Sequence, residues 1–238
     1  KKLRKENKYA FNGIILDMRN NPGGLLNSAV AVSAAFLKEG DLVVYTEGRA
    51  PDSKMNLTAI PENFIRNRPI GQNNYLTSIP EDIKDSPLVV LVNNGSASAA
   101  EIVAGALQDH KRALVVGTRS FGKGSVQSIL PMMNGTAIKL TTARYFTPNG
   151  TSIQGKGINP DIIVSNGNEV SEYREENIPN RLSNPQDNKE KSAPAIETPE
   201  ELTSEDKIYK PIVFGSKEDK QFAEALNILK GIDLYQKN

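Results

Sequence analysis

The sequence contains no cysteine and one histidine. Without a thiol, cysteine nucleophiles and Cys-ligated metal sites are excluded, while the redox compartment stays undecided. The one histidine, His110, lies twelve residues beyond Ser98, at the far end of the helix that Ser98 would begin. That separation is about 18 Å of helical rise, so the two cannot touch if the helix forms, which argues against a Ser-His-Asp triad. Neither sign of charge is in excess. Lys+Arg 29 against Asp+Glu 28 leaves a net charge of +1, which gives no reason to expect nucleic acid or an acidic membrane surface as a partner. Long hydrophobic runs are also missing. Pro87 to Val92 falls far short of the roughly 20 residues that span a bilayer, and the basic start Lys1-Lys2-Leu3-Arg4-Lys5 leads into polar residues instead of a signal-peptide core. The first residue is not methionine, so the expectation is a piece of a longer protein whose targeting segment and any membrane anchor lie upstream.

What is present suffices for a globular core: 38% of the 238 residues are hydrophobic, enough for one large domain or two small ones. Gly13 to Met18 reads as a strand, Asn20-Asn21-Pro22-Gly23-Gly24 as a tight loop, and Leu25 to Leu37 as a helix. Asp41 to Thr46, Pro87 to Val92, Ala113 to Gly117 and Gly135 to Phe146 read as further strands, and Ala99 to Leu107 as a helix. Strands separated by helices predict an α/β core with a mostly parallel sheet covered by helices. The polar stretch from Gly48 to Ser86 is too long for an ordinary connection and reads as a functional or partly ordered insertion. After Val164 the composition changes. Residues 165–210 are rich in Asn, Ser, Glu, Lys and Pro, the mark of a disordered linker. Residues 211–238 close with an amphipathic helix, with Phe222, Ala225, Leu226 and Leu229 on one face, Ser216 as N-cap and Gly231 past the last turn.

Two residues carry the chemical signal. Ser98 stands among small residues at the start of an apolar helix, and Lys123 follows 25 positions later in Ser120-Phe121-Gly122-Lys123-Gly124-Ser125. Ser98-Ala99-Ala100-Glu101 is also an S-x-x-E capping box, and capping is what most serines before helices do. The neighbours Gly95, Ala97, Ala99 and Ala100, however, leave room for a substrate, and a helix N-terminus offers free N–H groups and a positive dipole end to an oxyanion. For Lys123 the ordinary reading is a solvated loop lysine. Gly117 to Gly124 is a near-miss to the phosphate loop G-x-x-x-x-G-K-[ST], but Gly124 replaces the Ser or Thr and no helix pattern follows. A lysine acts as a general base only when its pKa is drawn down from about 10.4, and flanking glycines let the side chain turn inward. Gln127 lies four residues on, where an extended chain would place both side chains on one face. Pro22-Gly23-Gly24 before a helix can form an anion nest.

Together, Ile15-Leu16-Asp17-Met18-Arg19-Asn20-Asn21-Pro22-Gly23-Gly24, Gly95-Ser96-Ala97-Ser98-Ala99-Ala100-Glu101-Ile102, Phe121-Gly122-Lys123-Gly124 and Lys139-Leu140-Thr141-Thr142-Ala143-Arg144-Tyr145 resemble the C-terminal processing, or tail-specific, serine endopeptidases. Four blocks occur in the family's order, and their combination is far more specific than any one of them. The resemblance implies a crotonase-like (ClpP/crotonase-type) α/β protease core over residues 1–164, here the C-terminal portion of the family's catalytic domain. It implies Ser98 as nucleophile, Lys123 as general base, Gln127 as the residue that positions the lysine, and Gly23 or Gly24 with the amide of Ala99 as oxyanion hole. Asp109 falls in the family's pattern with a structural role. No metal or cofactor is needed. The implied partners are proteins or peptides with exposed C-termini, with room for a homodimer or a regulatory partner, and the implied location is extracytoplasmic, in a bacterial periplasm or facing it. The family's PDZ domain and the first part of its core have no counterpart here. The alternatives are therefore a catalytically silent crotonase-like module binding peptides or lipids, or a truncated protease inactive without those segments. A crotonase-type acyl-CoA enzyme would need a CoA phosphate site, and none is evident.

Overall fold

The computed structural model describes residues 11–49, 53–65, 75–167, 174–179, 181–187 and 212–236. In chain order the elements are β1 (Ile14–Asp17), α1 (Leu26–Ala34), β2 (Leu42–Gly48), β3 (Met55–Thr58), α2 (Glu81–Asp85), β4 (Leu88–Val92), α3 (Ala99–Asp109), β5 (Leu114–Gly117), β6 (Ser125–Pro131), β7 (Ala137–Phe146), β8 (Ile162–Ile163) and α4 (Lys220–Gln236). Short 3-10 turns occur at Pro61–Asn63, Tyr75–Ser78 and Glu175–Asn177.

β4 is an unbroken Leu-Val-Val-Leu-Val run with every side chain buried. A strand apolar on both faces needs cover on both faces, and it has it. β4 lies inside an all-parallel sheet of order β1-β4-β5-β8. Alternation sorts its side chains. Leu88, Val90 and Val92 share a core with Ala29, Val30 and Ala34 of α1 and with Ile102, Val103, Ala106 and Leu107 of α3. Val89 and Leu91 turn to the opposite face, joining Val116, Ala225 and Leu229. Each Val, Leu or Ile among them, buried, contributes about 1.5–3 kcal/mol. Residues 99–107 of α3 are all buried, which explains its small and aliphatic composition. At Gly105 a Cβ would stand 2.9 Å from Thr147 and 3.0 Å from Ile158.

The mostly parallel single sheet expected from the sequence is only half of the arrangement. β2 and β7 belong to a second, wholly antiparallel sheet of order β3-β2-β7-β6. The connections β2–β3 and β6–β7 are too short for the dozen or more residues that a parallel return requires, so each pair is antiparallel. Tyr45 pairs with Phe146 across β2 and β7, and their rings stack 5.0 Å apart.

The closing helix is longer than expected and rotated. Gln221, Ala225 and Leu229 are its buried line, with Phe222 and Ile228 packed beside them, while Leu226 is exposed. Gly231 lies inside the helix. The Asp219 carboxylate accepts the Phe222 N–H at 3.1 Å, whereas Ser216 Oγ serves a turn earlier, accepting from Glu218 at 3.3 Å. Part of the polar stretch 165–210 is bound to the core by hydrogen bonds. Glu175 N–H donates to Phe121 O at 3.1 Å, buried Asn184 donates to Gln154 O at 2.7 Å, and Gln186 Oε1 accepts from Ser152 N–H at 2.9 Å. Residues 168–173, 180 and 188–210 of that stretch lie outside the described residues, as do 50–52 and 66–74 of the earlier polar insertion.

Candidate active site

In an open parallel sheet the loops leaving the carboxyl ends of the strands converge along one edge. Here the loops after β1, β4 and β5 carry Gly23–Gly24, Ser98 and Lys123 respectively, and β4 lies between β1 and β5. The serine loop is thus flanked by the glycine turn on one side and the lysine loop on the other, although the three segments are far apart in sequence.

Buried polar groups lock the loops together. Ser96 is fully buried. Its hydroxyl donates to Met18 O at 2.8 Å and accepts the Asn93 N–H at 2.9 Å, while its carbonyl accepts from Phe121 N–H at 2.9 Å. Asn20 and Asn93 exchange two hydrogen bonds of 2.9 Å each. Ala97 N–H donates to Asn21 O, also at 2.9 Å. Gly23, at φ 98°, is pressed against the serine loop so closely that a Cβ would stand 2.8 Å from Ser98 Cβ and from Ala99 N. Its own N–H is taken by Asn21 Oδ1 at 2.9 Å. Among the described residues, the amides of Gly24 and of Ala99, the first residue of α3, have no partner.

Ser98 is a half-buried residue at φ 54° and ψ −114°. An ordinary N-cap takes an extended backbone, so this is a strained conformation for a residue with a Cβ. The glutamate half of the expected capping box is formed, Ser98 N–H donating to Glu101 Oε2 at 2.7 Å. The same oxygen accepts Lys123 N–H at 2.9 Å, so the main-chain nitrogens of Ser98 and Lys123 lie within the sum of those two distances of each other. Oε1 accepts Ser120 Oγ–H and Gly122 N–H, both at 2.6 Å. Burial pushes the Glu101 carboxyl up to about 7, against the pull of these four donors. Sequence reading saw only a helix cap in Glu101. The signal that could have revealed more was a lone charge within the otherwise apolar run Ala99–Leu107.

The Lys123 side chain is half-buried, and its amine forms no ion pair or hydrogen bond among the described residues. No hydrogen bond joins it to the Ser98 hydroxyl or to Gln127 in this state. Gln127 is exposed on β6, just past a register shift against β7, so simple alternation from Lys123, which precedes the strand, does not fix its direction. It lines a cavity of about 610 Å³ together with Gly24, Leu26, Leu57, Phe64 and Tyr145. Ser98, Ala99 and Lys123 are not in that cavity's wall. His110 sits at the opposite end of α3 and meets Leu42 O at 2.7 Å. Asp109 holds the turn after β7 by accepting Asn149 N–H at 2.8 Å. The Gly117–Gly124 segment runs into strand β6, not into a helix whose N-terminus could hold phosphate.

One edge of the parallel sheet thus brings together a strained serine, a lysine loop and a glycine turn. Residues 1–164 match peptidase family S41, and the chain belongs to that family. It is 49% identical over 152 residues to a carboxy-terminal-processing protease of Bartonella bacilliformis, covering 64% of this chain and 31% of the relative. It is 42% identical over 162 residues to a carboxyl-terminal-processing protease of Synechocystis sp., covering 68% and 33%. The chain therefore spans about a third of the length of these relatives. Among solved structures, a photosystem II D1 C-terminal processing protease superposes with a TM-score of 0.53 at 35% identity, covering 69% of this chain and 36% of that one.

Proposed function

We propose that this chain carries the catalytic serine and lysine of a serine endopeptidase that cuts proteins near their C-termini, on a crotonase-like core. The observation that supports it best is the shared Glu101 oxygen. A buried carboxylate fastens the backbone of a strained Ser98 to that of Lys123 beside a turn whose Gly24 amide is unpaired. In this reading neutral Lys123 accepts the Ser98 hydroxyl proton as Oγ attacks the peptide carbonyl carbon. The amides of Ala99 and Gly24 hold the oxyanion, Gly24 instead of Gly23 because the Gly23 N–H is already engaged. The lysine ammonium then protonates the departing amine, and water, deprotonated by Lys123, releases the acyl group as a carboxylate. Gln127, at the cavity wall, closes on the lysine when peptide is bound, since catalytic hydrogen bonds often tighten only in the complex. The largely apolar cavity beside Gly24 receives an apolar substrate side chain. The relatives' names support carboxy-terminal processing of proteins, and the sequence resemblance supports substrates with exposed C-termini and an extracytoplasmic setting.

The open Ser98–Lys123 pair is the observation that favours the rival, a silent peptide- or lipid-binding module. Ser98→Ala decides between them. In the protein at its natural length, hydrolysis of a peptide with a free apolar C-terminus should vanish while stability changes by at most the roughly 0.5–2 kcal/mol of a helix cap. Unchanged turnover in the folded variant would remove Ser98 from the mechanism, and no turnover by the unmodified protein would leave the silent module.

A further inference from the structure

Arg19 immediately precedes the Asn20–Gly24 turn, yet nothing in the chemistry above uses it. Its side chain is fully buried, and all five N–H groups are engaged. Nε and Nη2 grip Asp17 at 2.9 and 2.7 Å. Nη1 and Nη2 grip Asp219 at 2.7 and 2.9 Å, and Nη1 also donates to Gln221 Oε1 at 3.1 Å. The Phe214 ring lies 4.0 Å from the guanidinium carbon. Asp219 is fully buried too and collects the N–H groups of Gly215 at 2.8 Å and Phe222 at 3.1 Å. Three of these partners, Phe214, Asp219 and Gln221, come from the far end of the chain.

Docking α4 does not require this pair, because Ala225 and Leu229 already bury an apolar line on the sheet. A buried ion pair returns little net stability for its desolvation. What a doubly bidentate guanidinium does supply is direction, since its planar fork fixes both partners in one plane. The fixed residue is the one that leads into Asn20, itself at φ 54°, and from there to the amide of Gly24. We propose that Asp219 is a positioning residue. Through its grip on Arg19, Asp219 at the start of α4 acts as a brace that sets the oxyanion turn, so this end of the helix is part of the apparatus for catalysis. This rests on the serine-protease reading for its catalytic consequence and on geometry alone for its mechanical one.

Two readouts separate these. Asp219→Asn keeps size and cap but removes one acceptor and the charge, while Leu229→Ala loosens the same helix through packing, away from the turn. Hydrogen–deuterium exchange over residues 19–26 should quicken about tenfold in Asp219→Asn and stay within about twofold of the unmodified protein in Leu229→Ala. Peptide hydrolysis well below the unfolding midpoint should show kcat reduced about tenfold or more in Asp219→Asn with KM within about twofold. Affinity for a peptide boronic acid, whose tetrahedral adduct places an oxygen in the oxyanion hole, should fall with it, and Leu229→Ala should keep kcat. Unchanged exchange at the turn in Asp219→Asn overturns the brace, whatever the activity. Equal loss of kcat in both variants assigns the effect to helix docking and overturns it too. An unmodified protein that neither hydrolyses the peptide nor binds the boronate refutes the protease reading, while the exchange measurement still decides whether Asp219 sets the turn.

Discussion

At the scale of single residues, the two neighbouring serines do different work because of where their hydroxyls lie. Ser96 is sealed in the interior as a pin between the β1 and β4 loops, and Ser98 stands half-buried in a backbone conformation that side chains seldom adopt. Lys123 is half-buried on the loop that follows β5. The nearest buried carboxylate, Glu101, takes its main-chain N–H and leaves the amine out of any ion pair among the described residues. Lys123→Arg tells a base from a structural cation. Arginine keeps the charge and the donors, but with a pKa above about 12 it has no neutral form near pH 7. Turnover should collapse by orders of magnitude in a normally folded variant. Substantial peptide hydrolysis by folded Lys123→Arg would show that the lysine is not the base.

At the scale of elements, the site exists because three adjacent parallel strands end at one edge, and the turn after β1 must approach the N-terminus of α3 closely. Gly23 is where that approach is tightest. A methyl group there would stand 2.7 Å from Ala97 O and 2.8 Å from Ala99 N, both backbone atoms that cannot swing away, and the residue has φ 98° besides. Gly23→Ala should therefore lose at least about 1 kcal/mol of stability through backbone strain and nearly all activity, because the displaced turn carries the Gly24 amide with it. Gly24→Ala at the neighbouring position, with nothing within 4 Å of its Cβ, serves as the comparison. Calorimetry and steady-state kinetics on the two variants would show the contrast, and equal stability losses would mean that the close approach is not what demands glycine.

At the scale of the whole molecule, two buried carboxylates give the stability a predictable dependence on pH. Burial raises Glu101 from 4.5 to about 7 in the folded state. Its contribution is fully present below about 4.5 and is lost as pH rises through 7. Asp219 behaves in the opposite sense. Burial alone would raise it, but the hydrogen bonds from Arg19, Gly215 and Phe222 hold it down at about 2, below its ordinary 3.8. Its contribution is present above 3.8 and is lost as pH falls through 2. Unfolding midpoints should rise from pH 2 to about 4 and decline from 4.5 to about 7. Glu101→Gln should flatten the upper limb and Asp219→Asn the lower one. An upper limb unchanged by Glu101→Gln would show that another group sets it.

The elements that follow from local periodicity were legible in the amino-acid sequence: the apolar runs of β1, β4 and β5, the small-residue helix α3, and the existence of a closing helix. So was the placement of the serine block, the lysine loop and the glycine turn directly after strands, because each is a contiguous segment marked by its own turn and small residues. What the chain alone did not disclose is everything set by pairing between distant residues. The antiparallel second sheet, the rotated face of α4, the four donors on Glu101 and the Arg19–Asp219 grip leave no periodic trace. They depend on which groups remain unsatisfied once the core has closed, and a buried charge finds its partner by geometry in three dimensions, whatever the separation along the chain.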